Sequence, residues 1–252
     1  MYVPDLSLAI LFGILGLVFG SFGTVLIARL PAGQHIGGRS RCPRCKHMLG
    51  VAELIPLVSY CFLSGRCRHC RRSIGVLYPL IELGSALLFL LALLLVKEAL
   101  SSLLLALALW LLLLIAVMDA RTQSIHDLLN FSLIAFAVAY AVSVGSVQIA
   151  APLLLGAFFG GQWVLSRGRW VGSGDILLGI GVGFLLGDWM RALLCLGLAY
   201  ILGAMVASYL LLLHKASRKS HIPFGPFLAG AALLTIMFGD RILGLLVPGF
   251  FL

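Results

Sequence analysis

Long apolar runs broken by short polar stretches make up most of the chain. They lie at about Leu6–Ala28, Val76–Val96, Ala99–Met118, Leu128–Val144, Ile149–Val164, Ile176–Leu186, Ala192–Leu213 and Phe227–Phe238. A helix needs ~20 residues to cross a hydrocarbon layer of ~30 Å, and only helices or closed barrels satisfy their backbone groups there. The pattern therefore predicts about eight helices, with the sixth and eighth short for a bilayer. The first run follows Asp5 and has no basic stretch before it. It reads as a retained helix and not as a cleaved signal segment.

Composition turns this pattern into a class. The chain is 62% hydrophobic and 11% charged, with mean hydropathy +1.12; a soluble domain carries about 25% charged residues. An all-α polytopic membrane protein is expected. Net charge is +9, and 15 of the 18 Lys and Arg residues fall in four segments, Arg29–Gly75, Asp119–Asp127, Leu165–Asp175 and His214–Pro226. By the positive-inside rule those segments are cytosolic and the N-terminus is outside. The basic charge then serves topology and lipid contact. No aromatic-rich basic strand points to nucleic acid.

One polar insert, Arg29–Gly75, is large enough to hold structure. It contains Cys42-Pro-Arg-Cys45 and Cys67-Arg-His-Cys70, with 21 residues between the pairs. Two such knuckles predict a structural Zn2+ held by four thiolates in a closed tetrahedral site. Nearby Arg and Lys residues favour the thiolate form. Disulfides do not suit a cytosolic insert, and His47 or His69 as replacement ligands is the lesser alternative. Cys61 and Cys195 read as packing residues.

Carboxylates are scarce, nine in 252 residues, and two stand where they are costly. Asp119 closes the third apolar run, and Asp175 ends Gly172-Ser173-Gly174-Asp175 at the start of the sixth. An acidic residue at a membrane span marks a functional site by default. Two that meet could share protons and activate water. The plain alternatives are a helix cap for Asp175 and a solvated helix end for Asp119 and Asp127, and motif chemistry alone leaves both open. If the third helix continued, Asp127 would lie on a face adjoining Asp119, with His126 nearly aligned. Gly172 and Gly174 would allow close backbone approach or positive φ. Gly156 and Gly160, four apart, would permit close helix packing.

Six motifs in order then resemble the type IV prepilin peptidases. They are Gly20-Ser21-Phe22 with Arg29-Leu30-Pro31; the cysteine knuckles enclosing Ile55-Pro56-Leu57-Val58-Ser59-Tyr60; Tyr78-Pro79-Leu80-Ile81-Glu82; Asp119 with Asp127; Gly172-Ser173-Gly174-Asp175; and Ile222-Pro223-Phe224-Gly225-Pro226. The resemblance spans nearly the whole length. It implies an aspartic endopeptidase of the bacterial inner membrane, with Asp119 and Asp175 catalytic and facing the cytosol, supported by Gly172, Gly174 and Asp127. It implies prepilin or pseudopilin substrates, cut after a short basic leader ending in glycine. It further implies methylation of the new N-terminus with S-adenosylmethionine. Residues 1–75 would be the first helix and zinc lobe, associated with methylation through Glu53 and Glu82, and residues 76–252 the peptidase domain.

Departures from that family pattern occur at four places. Gly23-Thr24 replaces Leu-Asn, Leu54 replaces Asn, His126 replaces Pro, and Leu177 replaces Lys. The first two fall in the methylation-associated part. An ion-coupled transporter would also use membrane carboxylates but calls for paired halves with broken helices, and no internal repeat is evident. An inactive secretion-system scaffold is the other alternative, against which the intact Asp119 and Gly-Ser-Gly-Asp speak.

Overall fold

A computed structural model describes residues 4–214 and 222–246; the basic stretch 215–221, part of the segment expected inside, lies outside the described residues. Among the described residues the chain is helical: α1 (Leu6–Arg29), α2 (Val58–Phe62), α3 (Leu77–Leu95), α4 (Ala99–Thr122), α5 (Asp127–Ser143), α6 (Ala150–Ser166), α7 (Ser173–Leu186), α8 (Trp189–Leu212) and α9 (Gly225–Leu246). Five of these, α1, α3, α4, α8 and α9, are long and apolar enough to cross a membrane, whereas α5, α6 and α7 are apolar but shorter. The expectation of a short last helix is corrected, because α9 runs for 22 residues. It passes through Asp240, whose charge is met by Arg191 of α8 at 2.6 Å, so the polar pair does not end the helix.

The chain divides into two compact units, Met1–Ala106 and Leu107–Leu252. In the first, α1 packs against α3 with almost no side chain between them. A Cβ on Gly16 would come within 2.6 Å of the Ala86 Cα, and one on Gly20 within 2.6 Å of the Glu82 Cα. Helices in lipid lack a hydrophobic drive to associate, so close backbone approach through small residues supplies the packing instead. Arg29, at the end of α1, donates to the carbonyls of Ile36 and Gly37 at 2.8 Å each and ties down the loop that follows.

In the second unit α7 is the central helix, contacting α5, α6, α8 and α9. Its glycines make this possible. A Cβ on Gly183 would meet the Pro152 Cα of α6 at 2.4 Å, one on Gly179 the Phe159 ring at 2.7 Å, and one on Gly181 the Leu133 side chain of α5 at 3.0 Å. Of the α6 pair expected from spacing, Gly156 faces Ile180 at 2.9 Å, but Gly160 has open space around it. The small-residue contact is therefore carried mainly by α7.

Candidate active site and metal centre

Asp119 is buried, at 6% exposure, in the last turn of α4. Helix α4 does not continue to Asp127. Gln123 takes φ +52° and its N–H closes on the Asp119 carbonyl at 2.8 Å. A new helix then starts, with the His126 Nδ1 accepting from the Leu128 N–H at 3.2 Å as its cap. The condition for aligning His126 and Asp127 with Asp119 is thus not met, and Asp127 sits exposed in the first turn of α5.

The Asp119 Oδ2 accepts the Gly225 N–H at 2.8 Å. Helix α9 begins at that residue, and the loop before it is anchored by Phe224, packed against Phe159 (5.6 Å between centroids) and Tyr200 (5.2 Å). A Cβ at 225 would lie 2.8 Å from the Asp119 Oδ2, so a larger residue would have to push that carboxylate aside. Gly225 therefore has a role that its motif did not reveal.

Asp175 is half-buried in the first turn of α7. Its Oδ2 accepts the Gly172 N–H at 3.0 Å, so it caps its own helix as well as facing the site. Asp119 is near enough for its charge to act on Asp175. The structure thus brings together the two carboxylates the sequence singled out, each gripped by a backbone N–H of a glycine. Gly172 adopts φ −76°, and Gly174 is not among the positive-φ residues. The glycines serve close approach: a Cβ on Gly174 would lie 3.1 Å from the Ile125 Cβ. Asn130 of α5, which sequence reasoning missed, donates to the Gly174 carbonyl at 3.0 Å. A lone amide inside an apolar run was the available signal, because polar side chains in such runs bond across helices.

In the first unit the two cysteine knuckles are copies of one another. Cys42 N–H bonds the His47 carbonyl and Cys67 N–H the Arg72 carbonyl, each at 2.9 Å. Lys46 and Arg71 both take positive φ, at 60° and 56°. The four sulfurs of Cys42, Cys45, Cys67 and Cys70 lie within 4.8 Å of one another and could hold a metal ion. Cross-pairs stand at 3.9 and 4.0 Å. Tetrahedral Zn–S bonds of ~2.3 Å would need sulfurs about 3.8 Å apart, so the donor set fits zinc. The backbone N–H of Cys45 lowers the Cys42 thiol to about 7, against the opposing effect of burial. That favours the thiolate at Cys42, whereas the Cys45 thiol, lowered by the His47 backbone but raised more by burial and the neighbouring cysteines, goes up to about 11. His47 and His69 instead stack on each other, with ring centroids 4.2 Å apart.

Beside the knuckles is a cavity of about 270 Å³, lined among others by Arg41, Arg44, Tyr60, Tyr78, Glu53 and Glu82. The Glu53 Oε2 accepts the Gly50 N–H at 2.7 Å. The Glu82 Oε2 accepts the Leu57 N–H at 2.8 Å. Leu57 is strained, with φ 60° and ψ −47°, in a tight turn closed by Val58 N–H on the Pro56 carbonyl at 2.6 Å. Such a γ-turn is rare for a side-chain-bearing residue. Glu82 holds it in place from α3.

Comparison with known proteins accounts for both units. Residues 14–96 match the Bacterial Peptidase A24 N-terminal domain, and residues 105–208 match the Type IV leader peptidase family. Several curated proteins named prepilin leader peptidase/N-methyltransferase are similar. The Bacillus subtilis protein is 33% identical over 94% of this chain and 96% of its own length. That of Pseudomonas aeruginosa is 32% identical over 91% and 90%, and that of Aeromonas salmonicida 32% over 81% and 72%. No solved structure matches. With matched domains across both units and relatives aligned over most of their length, the chain belongs to the type IV leader peptidase family.

Proposed function

We propose that the chain is a membrane aspartic endopeptidase that removes the leader from prepilins or pseudopilins, with Asp119 and Asp175 as its catalytic pair. The observation that carries this is the pair itself. Two carboxylates from separate apolar helices lie within electrostatic reach, each bonded to a glycine N–H. With one ionised and one protonated, the ionised group takes a proton from water as the oxygen attacks the scissile carbonyl. The protonated partner donates a hydrogen bond to that carbonyl oxygen. The captured proton then passes to the leaving amine. Gly172 and Gly225 orient the carboxylates, and Gly174 lets the turn close against Ile125.

The remaining parts of the reading follow from family membership and charge. The eight helices other than α2 span the inner membrane, with the N-terminus outside and the aspartates at the cytosolic face. Residues 1–75 carry the methylation-associated lobe and residues 76–252 the peptidase domain. Zn2+ on Cys42, Cys45, Cys67 and Cys70 is structural, since no ligand position is left open.

The second activity is N-methylation of the new N-terminus. S-adenosylmethionine would supply the methyl group, held in the cavity beside the knuckles. That cavity's content suits a zwitterionic nucleoside: guanidiniums of Arg41 and Arg44 for a carboxylate, Glu53 and Glu82 for positive charge, and the Tyr60 and Tyr78 rings for a base. Its size is near the lower end of ligand pockets, roughly 300 Å³. Glu82 also keeps the Leu57 turn in shape.

Co-expression with a prepilin, read by intact mass of the pilin, tests the reading. A shortened product that disappears with Asp119→Asn or Asp175→Asn is expected. A shortened product that survives either change would overturn the assignment of the pair.

A further inference from the structure

We propose that Asn130 is a positioning residue for Asp175, acting through the peptide unit that joins Gly174 to Asp175; this rests on the peptidase reading above. That peptide is held at both ends. Its carbonyl, on Gly174, accepts from the Asn130 Nδ2 at 3.0 Å. Its N–H, on Asp175, donates to the Gly172 carbonyl at 3.2 Å. The Asp175 side chain is then turned back onto the Gly172 N–H at 3.0 Å. Three hydrogen bonds therefore fix the plane, the Cα and the carboxylate in sequence, and Asn130 is the only one of the three partners that comes from another helix.

Asn130 is fully buried, at 0% exposure, and its Oδ1 has no hydrogen-bond partner among the described residues. A buried acceptor left unsatisfied is destabilising, and native proteins rarely keep one without a reason. Turning the amide over would not relieve it, because Oδ1 would then face the Gly174 carbonyl, acceptor against acceptor. An apolar side chain of similar size would avoid the orphaned oxygen. The residue present instead retains a side-chain donor to Gly174 from another helix. That choice is explained by the position of Asp175, and packing alone does not explain it.

The surrounding contacts carry the effect to the carboxylate. Gly174 sits against Ile125, where a Cβ would come within 3.1 Å, and Gly181, two turns along the same face of α7, sits against Leu133. Asn130 and Leu133 are neighbours on α5. The α5–α7 contact is thus fixed by packing at Gly181 and by a directional bond at Gly174. Losing the bond should leave the helices packed while freeing the turn that ends in Asp175.

The test compares Asn130→Leu, Asn130→Gln and Asp175→Asn in the full-length protein, measuring prepilin cleavage kinetics and thermal unfolding in detergent. Asn130→Leu should unfold at or above the wild-type temperature, yet lose about 10- to 100-fold in kcat with KM little changed, as expected when a reacting group is misplaced by a fraction of an ångström to 1 Å. Asn130→Gln, which keeps the amide N–H on a side chain long enough to reach Gly174, should regain part of that rate. Wild-type kcat in Asn130→Leu would overturn the proposal, as would a loss that follows a fall in unfolding temperature and is not relieved by glutamine. Asp175→Asn separates the two levels. If it is inactive while Asn130→Leu is fully active, the positioning role alone fails; if it cleaves at the wild-type rate, the catalytic pair fails and the positioning role with it.

Discussion

The Gly225 N–H donates to the Asp119 Oδ2 at 2.8 Å, so the first residue of α9 grips the carboxylate that closes α4. The contact is also a steric limit, because a Cβ at 225 would lie 2.8 Å from that oxygen and 3.2 Å from the Asp119 Cβ. Gly225→Ala should therefore displace Asp119 or lift the start of α9. Overpacking of this kind costs about 1–3 kcal/mol. Cleavage should fall at least about tenfold, in line with a misplaced reacting group. Kinetics and thermal unfolding on the same preparation check this, and unchanged cleavage would show that the grip on Asp119 is dispensable.

Helix packing around α7 makes a paired prediction. Gly183→Ala drives a Cβ to 2.4 Å from the backbone of Pro152, whereas Gly160→Ala meets nothing within 4 Å. The first should lower stability by about 1–3 kcal/mol. The second should stay within about 0.5 kcal/mol, or gain slightly from better helix propensity. Thermal unfolding in detergent reads both, and equal effects would mean that α6 and α7 do not meet as described.

Loss of one thiolate should release the metal. Cys42→Ser and Cys70→Ser are each expected to reduce bound zinc to a small fraction of one equivalent, because a structural site depends on its full ligand set. His47→Ala should keep zinc, since the two histidines stack on each other and lie outside the sulfur cluster. Metal content by elemental analysis decides, and zinc retained in both cysteine variants would remove the four-thiolate assignment.

Glu82 separates the two activities. Glu82→Ala leaves the strained Leu57 turn without the acceptor of its N–H, a loss of about 1–3 kcal/mol locally. Glu82→Gln keeps an acceptor oxygen but not the charge. Methylation should be lost in both and cleavage retained in Glu82→Gln, as read from the mass of the released pilin. Loss of cleavage in Glu82→Gln would instead tie this lobe to proteolysis.

The parts of the account that were legible in the sequence are those that local chemistry dictates. Apolar runs marked the long helices because length and hydropathy suffice for that, although the last one was read as ending at Phe238 and runs on to Leu246. Cysteine spacing pointed to the four residues whose sulfurs the fold clusters, Cys42, Cys45, Cys67 and Cys70. Asp119 and Asp175 were visible because carboxylates are so scarce in an apolar chain. What was missed depends on contacts between distant segments. No local pattern shows that Gly225 would bond Asp119 across 106 residues or that Asn130 would reach Gly174. The α1–α3 seam was in principle readable from Gly16 and Gly20, four apart, by the same reasoning that was applied to Gly156 and Gly160. Spacing could not say which of the two stripes had a neighbour. The break between the third and fourth runs was expected between Met118 and Leu128, but α4 keeps Asp119 in its last turn and ends at Thr122, because no proline or glycine from Asp119 to Asp127 marks the stop.

The most direct test of the central claim is cleavage of a purified prepilin by the wild type, Asp119→Asn and Asp175→Asn, with thermal unfolding of each measured alongside. The pair predicts that both variants fold like the wild type and that each loses cleavage by orders of magnitude. A folded variant of either kind that still cuts the leader at the wild-type rate would contradict a mechanism in which the two carboxylates act together.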